Sequence, residues 1–578
     1  MKTNRETCCV SDQFSAPYDA VIVGAGFSGM YMLYSLRRLG LRAVVIEAAD
    51  DVGGTWYWNR YPGARCDVES MEYSYSFDED LQQEWEWKER YSAQPEILEY
   101  AGHVADRFDL RRDIRFGTRV TRAWWDGDSG SWVLETDTGE NLRGHYCIMA
   151  LGCLSVPRRP DFRGLDSFSG PWYHTGLWPH EPVDFSGLDV GIIGTGSSAI
   201  QSIPRIASEA RHLTVFQRTP NFAVPAWNGP LDADEVRAIK KNYAAFREGA
   251  RWSHSGYNCD DAVGPGLEVS DNLRKSEMER RWQIGGFTVL STFDDVNTSM
   301  EVNRLFVDFA HDKIRRRVND PETARLLSPT DHPFGTKRLC VEIDYFETYN
   351  RKNITLVDIS DDPIGHVTPT GLVTEGGRAF DVDALVFATG FDAMTGPLLG
   401  IDIRGTEGLS LRDKWEVGPR TFLGLTVAGF PNMFTITGPQ SPSVLTNMMS
   451  AIEQHVEWVT DCLAWLRRHG FDRIEATQDE EDAWVEHTIA VGDSTLYPLA
   501  NSWYVGANIP GKPRVFTPYV GGFDTYRRIC DRVATDGYRT FDLGRMMGDG
   551  ASGGTRTPTS GWKADFESAA STSSATEA

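Results

Sequence analysis

Asp19-Ala20-Val21-Ile22-Val23-Gly24-Ala25-Gly26-Phe27-Ser28-Gly29 sets a short apolar run directly before a glycine-rich turn. The run predicts a buried strand. Behind the turn, Met30, Leu33, Leu36 and Leu39 recur at helical spacing, Arg37 and Arg38 fall in the last turn, and Gly40 stands where a helix-ending glycine belongs. A second strand, Arg42 to Ile46, ends on Glu47. Together these make a βαβ nucleotide-binding unit. Gly24 permits the tight turn, Gly26 lets backbone approach a pyrophosphate, and Gly29 lets the helix pack closely on the strand. Ser28 sits beside them at the helix start, where free N–H groups meet the anion. Glu47, about 20 residues past the loop, can accept a hydrogen bond from a ribose hydroxyl. The alternative is a glycine turn without ligand; the flanking strands and the acid weigh against it.

The pattern returns further on. Leu188 to Ile193 runs into Gly194-Thr195-Gly196-Ser197-Ser198-Ala199, and Leu213 to Phe216 is the next strand. Loop and first helical turn, Thr195 to Gln201 by way of Ile200, are candidate nucleotide contacts. At the place matching Glu47 stands Gln217, followed by Arg218 and Thr219. A carboxylate there would repel a 2′-phosphate, whereas a guanidinium grips it in a fork. The first site therefore suits the ADP-ribose of FAD and the second suits NADP. A solvated strand-end charge is the bland reading of Arg218.

Two more stretches belong with these loops. Gly53-Gly54-Thr55-Trp56-Tyr57-Trp58, continuing through Arg65, Cys66 and Asp67, mixes glycine with aromatics in the manner of a loop against a flat ring system. A surface loop stapled by tryptophans is the competing reading. Between the two units, Phe168-Ser169-Gly170-Pro171-Trp172-Tyr173-His174-Thr175-Gly176-Leu177-Trp178-Pro179 reads as a Pro- and Gly-punctuated connector outside regular helix or sheet.

Composition bounds the rest. The chain has 578 residues, 41% hydrophobic and 24% charged, an ordinary globular balance for two to four domains. A net charge of −24 argues against a general nucleic-acid binder. Nine scattered cysteines show no metal-ligand or CxxC spacing and read as reduced thiols of a cytoplasmic protein. No apolar run suits a membrane span or signal core. Glu72 to Arg112 reads as helical, Arg115 to Ala150 as strands and hairpins, and Gly429 to Gly438 as a buried strand. Ile452 to Arg468 reads as an amphipathic helix closed by Gly470. The expected division is 17–152 and 389–545 for the FAD-binding domain, 153–180 for the linker, 181–230 with 326–388 for the NADP-binding domain, 231–325 for a mostly helical insertion, and 546–578 for a disordered tail. The fold class is α/β with two Rossmann-like domains.

Phe168, Gly170, His174, Trp178 and Pro179, at their observed spacing between two glycine loops, resemble the linker fingerprint of type I Baeyer–Villiger monooxygenases. Gly53 to Asp67 resembles that family's second fingerprint. The resemblance covers roughly Asp19 to Tyr538 and implies FAD and NADPH as cofactors, with a small-molecule ketone and O2 as substrates. In the implied reaction, NADPH reduces the flavin, O2 adds to it as a C4a-peroxide, and that peroxide attacks the ketone to give an ester or lactone. Arg338 matches the arginine that stabilises the anionic species, which agrees with the strength of a permanent cation in a dry site. Asp67 matches the acid that orients it. Flavin contacts are implied for Gly54 to Trp58, Asp67, Tyr73, Val120 and Met448. NADP contacts are implied for Arg65, Cys66, Arg218, Thr219, Lys337, Arg338 and Trp503, alongside the second loop. His174 is implied in domain coupling rather than proton transfer, and Ser441 to Leu445 in bordering the substrate pocket. A monomer is the family-based expectation. The main alternative is a flavin-containing N- or S-monooxygenase, which shares the two-loop layout but lacks the Trp178-Pro179 ending. A disulfide reductase is disfavoured by the missing cysteine pair.

Overall fold

The structure, a computed structural model, describes residues 17–545. The tail expected from residue 546 onward lies outside the described residues, as do Cys8 and Cys9.

Two sheets organise the molecule. In the first, the strands run in the order Asp402–Arg404, Val120–Asp126, Ser131–Thr136, Asn141–Met149, Tyr18–Val23, Ala43–Ile46 and Ile114–Arg115, with Met433–Thr435 added onto Asn141–Met149. Its nucleotide half is parallel, Ile22 standing opposite Val45 on one side and Ile148 on the other. The stretch from Val120 to Met149 is an antiparallel meander. The helix Phe27–Arg38 buries Met30, Leu33 and Leu36 against this sheet and against the long helix Met448–His469, which Gly470 ends in the left-handed conformation. The second sheet is wholly parallel, in the order Ile354–Asp358, His212–Gln217, Asp189–Ile193, Ala384–Phe387 and Trp172–His174.

The same device shapes both glycine loops. Gly24 has φ +105° and Gly194 has φ +116°, a region closed to most side chains. A Cβ on either would also stand 2.5 Å from a carbonyl oxygen, that of Ala150 in the first unit and of Ala388 in the second. Each loop thus lies on the end of the neighbouring central strand. The fold is α/β with two Rossmann-like modules. A mostly helical segment interrupts the second, with Ala233–Lys241, Tyr243–Arg251, Asp271–Ile284 and Met300–Arg317 as its principal helices. Short parallel strands, Ala223–Pro225 and Cys340–Glu342, clamp its two ends together.

Three sequence expectations change. The connector is not wholly irregular, since Trp172–His174 is the edge strand of the second sheet, Tyr173 opposite Val386. An edge needs pairing on one side only, so Pro171 is tolerated just before it. Between Glu72 and Arg112 only Glu79–Glu84 and Gln94–Arg107 are α-helical, because loops carry the aromatic-rich remainder. The strand within Gly429 to Gly438 shrinks to Met433–Thr435.

Candidate active site

The two nucleotide loops share an unusual helix start. Half of the described α-helices of nine or more residues are capped by a side chain, that of Asp232, Ser270, Ser299, Asn447 or Thr477. Phe27–Arg38 and Ser197–Glu209 begin instead on Gly26 and Gly196, with no side-chain cap and no acid in the first turn. Their leading N–H groups and positive dipole ends stay available to an anion. A Cβ on Gly196 would meet nothing within 4 Å, and Gly26 faces only the Gly54 backbone. These bare backbone cradles fit dinucleotide pyrophosphates.

Around the first cradle, Glu47 is buried and its carboxylate accepts from the Ala25 N–H at 2.6 Å and the Ala49 N–H at 2.7 Å. Burial, partly offset by those bonds, raises its pKa. Gly53 N–H donates to Ala25 O, so the aromatic loop lies directly on the glycine loop. Trp56 and Tyr57 are buried in the short helix Thr55–Trp58, and Trp56 Nε1 donates to Tyr73 Oη at 3.1 Å. Val120 is buried in the first sheet's core. Met448 opens the long helix within a cluster that also holds Trp503, Cys153 and Val444.

Around the second, Thr195 Oγ1 donates to Thr219 O at 2.6 Å, holding the segment after Arg218 against the loop. Arg218 itself is exposed and makes no ion pair among the described residues. Lys337 is paired with Asp331 at 3.2 Å. Ser197 Oγ lies 3.2 Å from Cys340 Sγ, which places the strand following Arg338 on this cradle. Gln201 Nε2 donates to Arg65 O, and Tyr61 Oη donates to Gln201. A Cβ on Gly63 would stand 2.2 Å from Gln201 O, so the two modules touch here backbone to backbone.

Arg338 comes from the second module's side of the chain, and Asp67 from the first module's aromatic loop. They meet in a fork, Nε and Nη2 donating to one carboxylate oxygen at 3.0 and 2.7 Å. Nη1 donates to Val444 O, and the guanidinium lies 4.7 Å over the Phe287 ring. Burial is the largest single influence and opposes its charge, but Asp67 and Tyr504 together outweigh it, so its pKa is raised and it is a permanent cation. It lines a cavity of about 600 Å³ shared by the helical segment, Pro442 and Leu445, and the loop around Tyr504.

The linker reaches both modules. His174 is buried. Its Nδ1 accepts from Gly176 N–H at 3.0 Å, which leaves Nε2–H to donate to Thr389 Oγ1 at 3.1 Å. Burial lowers its pKa to about 4, so it is neutral and holds no proton to exchange near neutrality. Thr175 shares a hydroxyl contact with Ser198 in the second cradle, Trp178 is buried in the second core, and His180 packs 4.9 Å from Tyr57. A Cβ on Gly170 would collide with Asp383 O at 2.1 Å, and Phe168 packs into the same module. Sequence reasoning missed Phe287, the Val444 carbonyl and Tyr504. Only Tyr504 offered a signal, as the residue after Trp503.

Comparisons with known proteins accord with this arrangement. The family described as pyridine nucleotide-disulphide oxidoreductase matches residues 21–240, the two nucleotide loops and the linker. All seven described cysteines are free. A Baeyer–Villiger monooxygenase of Pseudooceanicola batsensis is 42% identical over 90% of this chain and 96% of its own. A solved oxidized steroid monooxygenase bound to NADP is 48% identical with a TM-score of 0.88, covering 91% of this chain and 99% of that one. The OTEMO complex with FAD and NADP is 40% identical with a TM-score of 0.88, covering 92% and 100%. With two uncapped dinucleotide cradles, the linker between them and relatives at this identity along nearly its whole length, the chain belongs to the Baeyer–Villiger monooxygenases.

Proposed function

We propose that the chain oxidises NADPH and inserts one oxygen atom of O2 beside a ketone carbonyl, giving an ester or lactone. The observation that carries this reading is the Arg338–Asp67 fork, whose arginine lines a cavity of about 600 Å³. Bound FAD, once reduced by NADPH, supplies the two-electron activation of O2. The chain's own residues bind, orient and stabilise. Gly24, Gly26, Ser28, Gly29 and Glu47 hold the flavin nucleotide, with Gly54 to Trp58, Tyr73, Val120 and Met448 about its remainder. Thr195 to Gln201 hold NADPH, Arg218, Thr219 and Lys337 take its 2′-phosphate, and Arg65, Cys66 and Trp503 border it. Lys337 would exchange Asp331 for the phosphate. Arg338, fixed by Asp67, stabilises negative charge that develops during oxygen transfer. Residues 17–152 and 389–545 serve the flavin, 181–230 and 326–388 the nicotinamide nucleotide, 153–180 the coupling between them, and 231–325 the cavity. No helix among the described residues is long and apolar enough to cross a membrane. We place the enzyme in the cytoplasm as a monomer.

The test uses purified FAD-loaded protein with NADPH, O2 and a panel of aromatic, cyclic and steroid ketones, with products read by mass-detected chromatography. Ester or lactone carrying oxygen from O2 is expected. Sulfoxide from an added thioether, with no ester from any ketone, would move the assignment to N- or S-oxygenation.

A further inference from the structure

Tyr504 is 2% exposed and lines the same cavity as Arg338, whose positive charge acts on its phenol. A guanidinium has donors only, so towards Arg338 the phenol can offer nothing but its oxygen. The phenolic proton is then left over, and no group among the described residues takes it. The ring cannot easily turn elsewhere. Tyr504 O accepts from both Thr517 N–H and Thr517 Oγ1 at 2.9 Å, while the ring packs 4.3 Å from Trp503 and 5.8 Å from Tyr497. Arg338, for its part, is largely committed. Nε and Nη2 serve Asp67, and Nη1 serves the Val444 carbonyl. Beyond these the guanidinium keeps one N–H on each terminal nitrogen, and the neutral donor that shares the cavity with it is the phenol.

We propose that Tyr504 donates a hydrogen bond to the carbonyl oxygen of the bound ketone, polarising it for attack and carrying the negative charge that develops on it. This rests on the oxygenation reading above. It divides the labour in the cavity, with Arg338 as the fixed positive charge and Tyr504 as the neutral donor aimed at the substrate. The titratable and charged groups facing the phenol are Arg338, Asp67, Cys340 and Tyr497. Burial raises the phenol's pKa, and Arg338 pulls it down, leaving it at about 12. The burial of Cys340 likewise pushes its thiol up to about 12. Across the working pH range the phenol therefore keeps the proton that it must offer.

The experiment compares FAD-loaded wild type with Tyr504→Phe, which keeps the ring and loses only the hydroxyl. Ketone oxygenation should fall by about 100-fold, the scale of losing one donor to a developing oxyanion. The lost turnover should appear as hydrogen peroxide. Oxygen transfer to a thioether, which has no carbonyl oxygen to polarise, should fall far less. A ring-fluorinated tyrosine at position 504, which keeps the hydroxyl, should restore ketone oxygenation. Wild-type ester formation by Tyr504→Phe overturns the proposal. So do equal losses on ketone and thioether, or no rescue by the fluorinated tyrosine, since those fit a mere prop for Arg338. Wild-type protein that makes no ester from any ketone would instead sink the underlying reading.

Discussion

Arg338 and Asp67 lie far apart in the sequence, and neither would be singled out by composition or periodicity. Their family resemblance marked them, and the structure brings them into one fork. Arg338→Ala should still allow NADPH to reduce the flavin, followed at its visible absorbance, while ester formation is lost. Undiminished ester yield would remove the assigned role. Asp67→Ala leaves the guanidinium without its partner. Breaking such a pair costs about 3–5 kcal/mol when buried, and this one retains solvent access at 23% and 25% side-chain exposure, so a smaller loss of thermal stability is expected. Arg218 is the simpler case, because Gln217 and Arg218 could be read directly at the place matching Glu47. Losing its charge-assisted contact should weaken NADPH by about 1.5–3 kcal/mol and leave NADH almost unchanged, read from KM for the two coenzymes. Equal effects on both would remove the phosphate assignment.

At the scale of the element, both glycine loops were legible because strand, turn and helix are local patterns, and their glycines have local reasons. The reasons nonetheless differ, and they can be separated. A Cβ on Gly29 would sit 1.8 Å from Gly24 O, so Gly29→Ala should distort the first loop and lower the flavin content of purified protein. Gly196 has ordinary backbone angles and open space, so Gly196→Ala should leave the melting temperature near wild type and raise the KM for NADPH. A large fall in Tm would mean that the glycine serves packing rather than ligand approach. The linker strand was not legible. Proline and glycine signals in Phe168 to Pro179 argued for an irregular connector, and pairing with Ala384–Phe387, a partner remote in sequence, overrode them. The carbonyl that receives Arg338 escaped for a similar reason. It belongs to a turn in which Ser443 takes φ +37°, an arrangement that tertiary contacts impose.

Across the whole molecule, several buried histidines make stability sensitive to acid. His455 is fully buried, its Nδ1 accepting from Thr437 N–H while Nε2–H faces Tyr526 Oη at 3.0 Å. Burial lowers its pKa to about 3, and that of His174 to about 4. The unfolded chain binds a proton near pH 6.5 that the folded chain refuses. The contribution is therefore complete above about pH 6.5 and is lost as pH falls through the window toward 4, by about 1.4 kcal/mol per pH unit for each such histidine. Buried Glu72 and Glu453, whose pKa values are raised by burial, act in the opposite sense, so the clean measurement is a difference. His455→Leu should be less stable at neutral pH and show a shallower decline between pH 6.5 and 4 in denaturant melts. A parallel pair of profiles would contradict its neutral state. Of the cavity only the border at Ser441 to Leu445 was legible, through the family resemblance, since its other walls come from distant segments. Yet the arginine lining it gives the strand clamp at Cys340 a meaning beyond packing. The arginine is bolted through its own strand to one module and tied through its fork to the other, so its placement depends on both. In the proposed reaction the charge that oxygen transfer calls for would thereby work as an interlock, set by both modules at once.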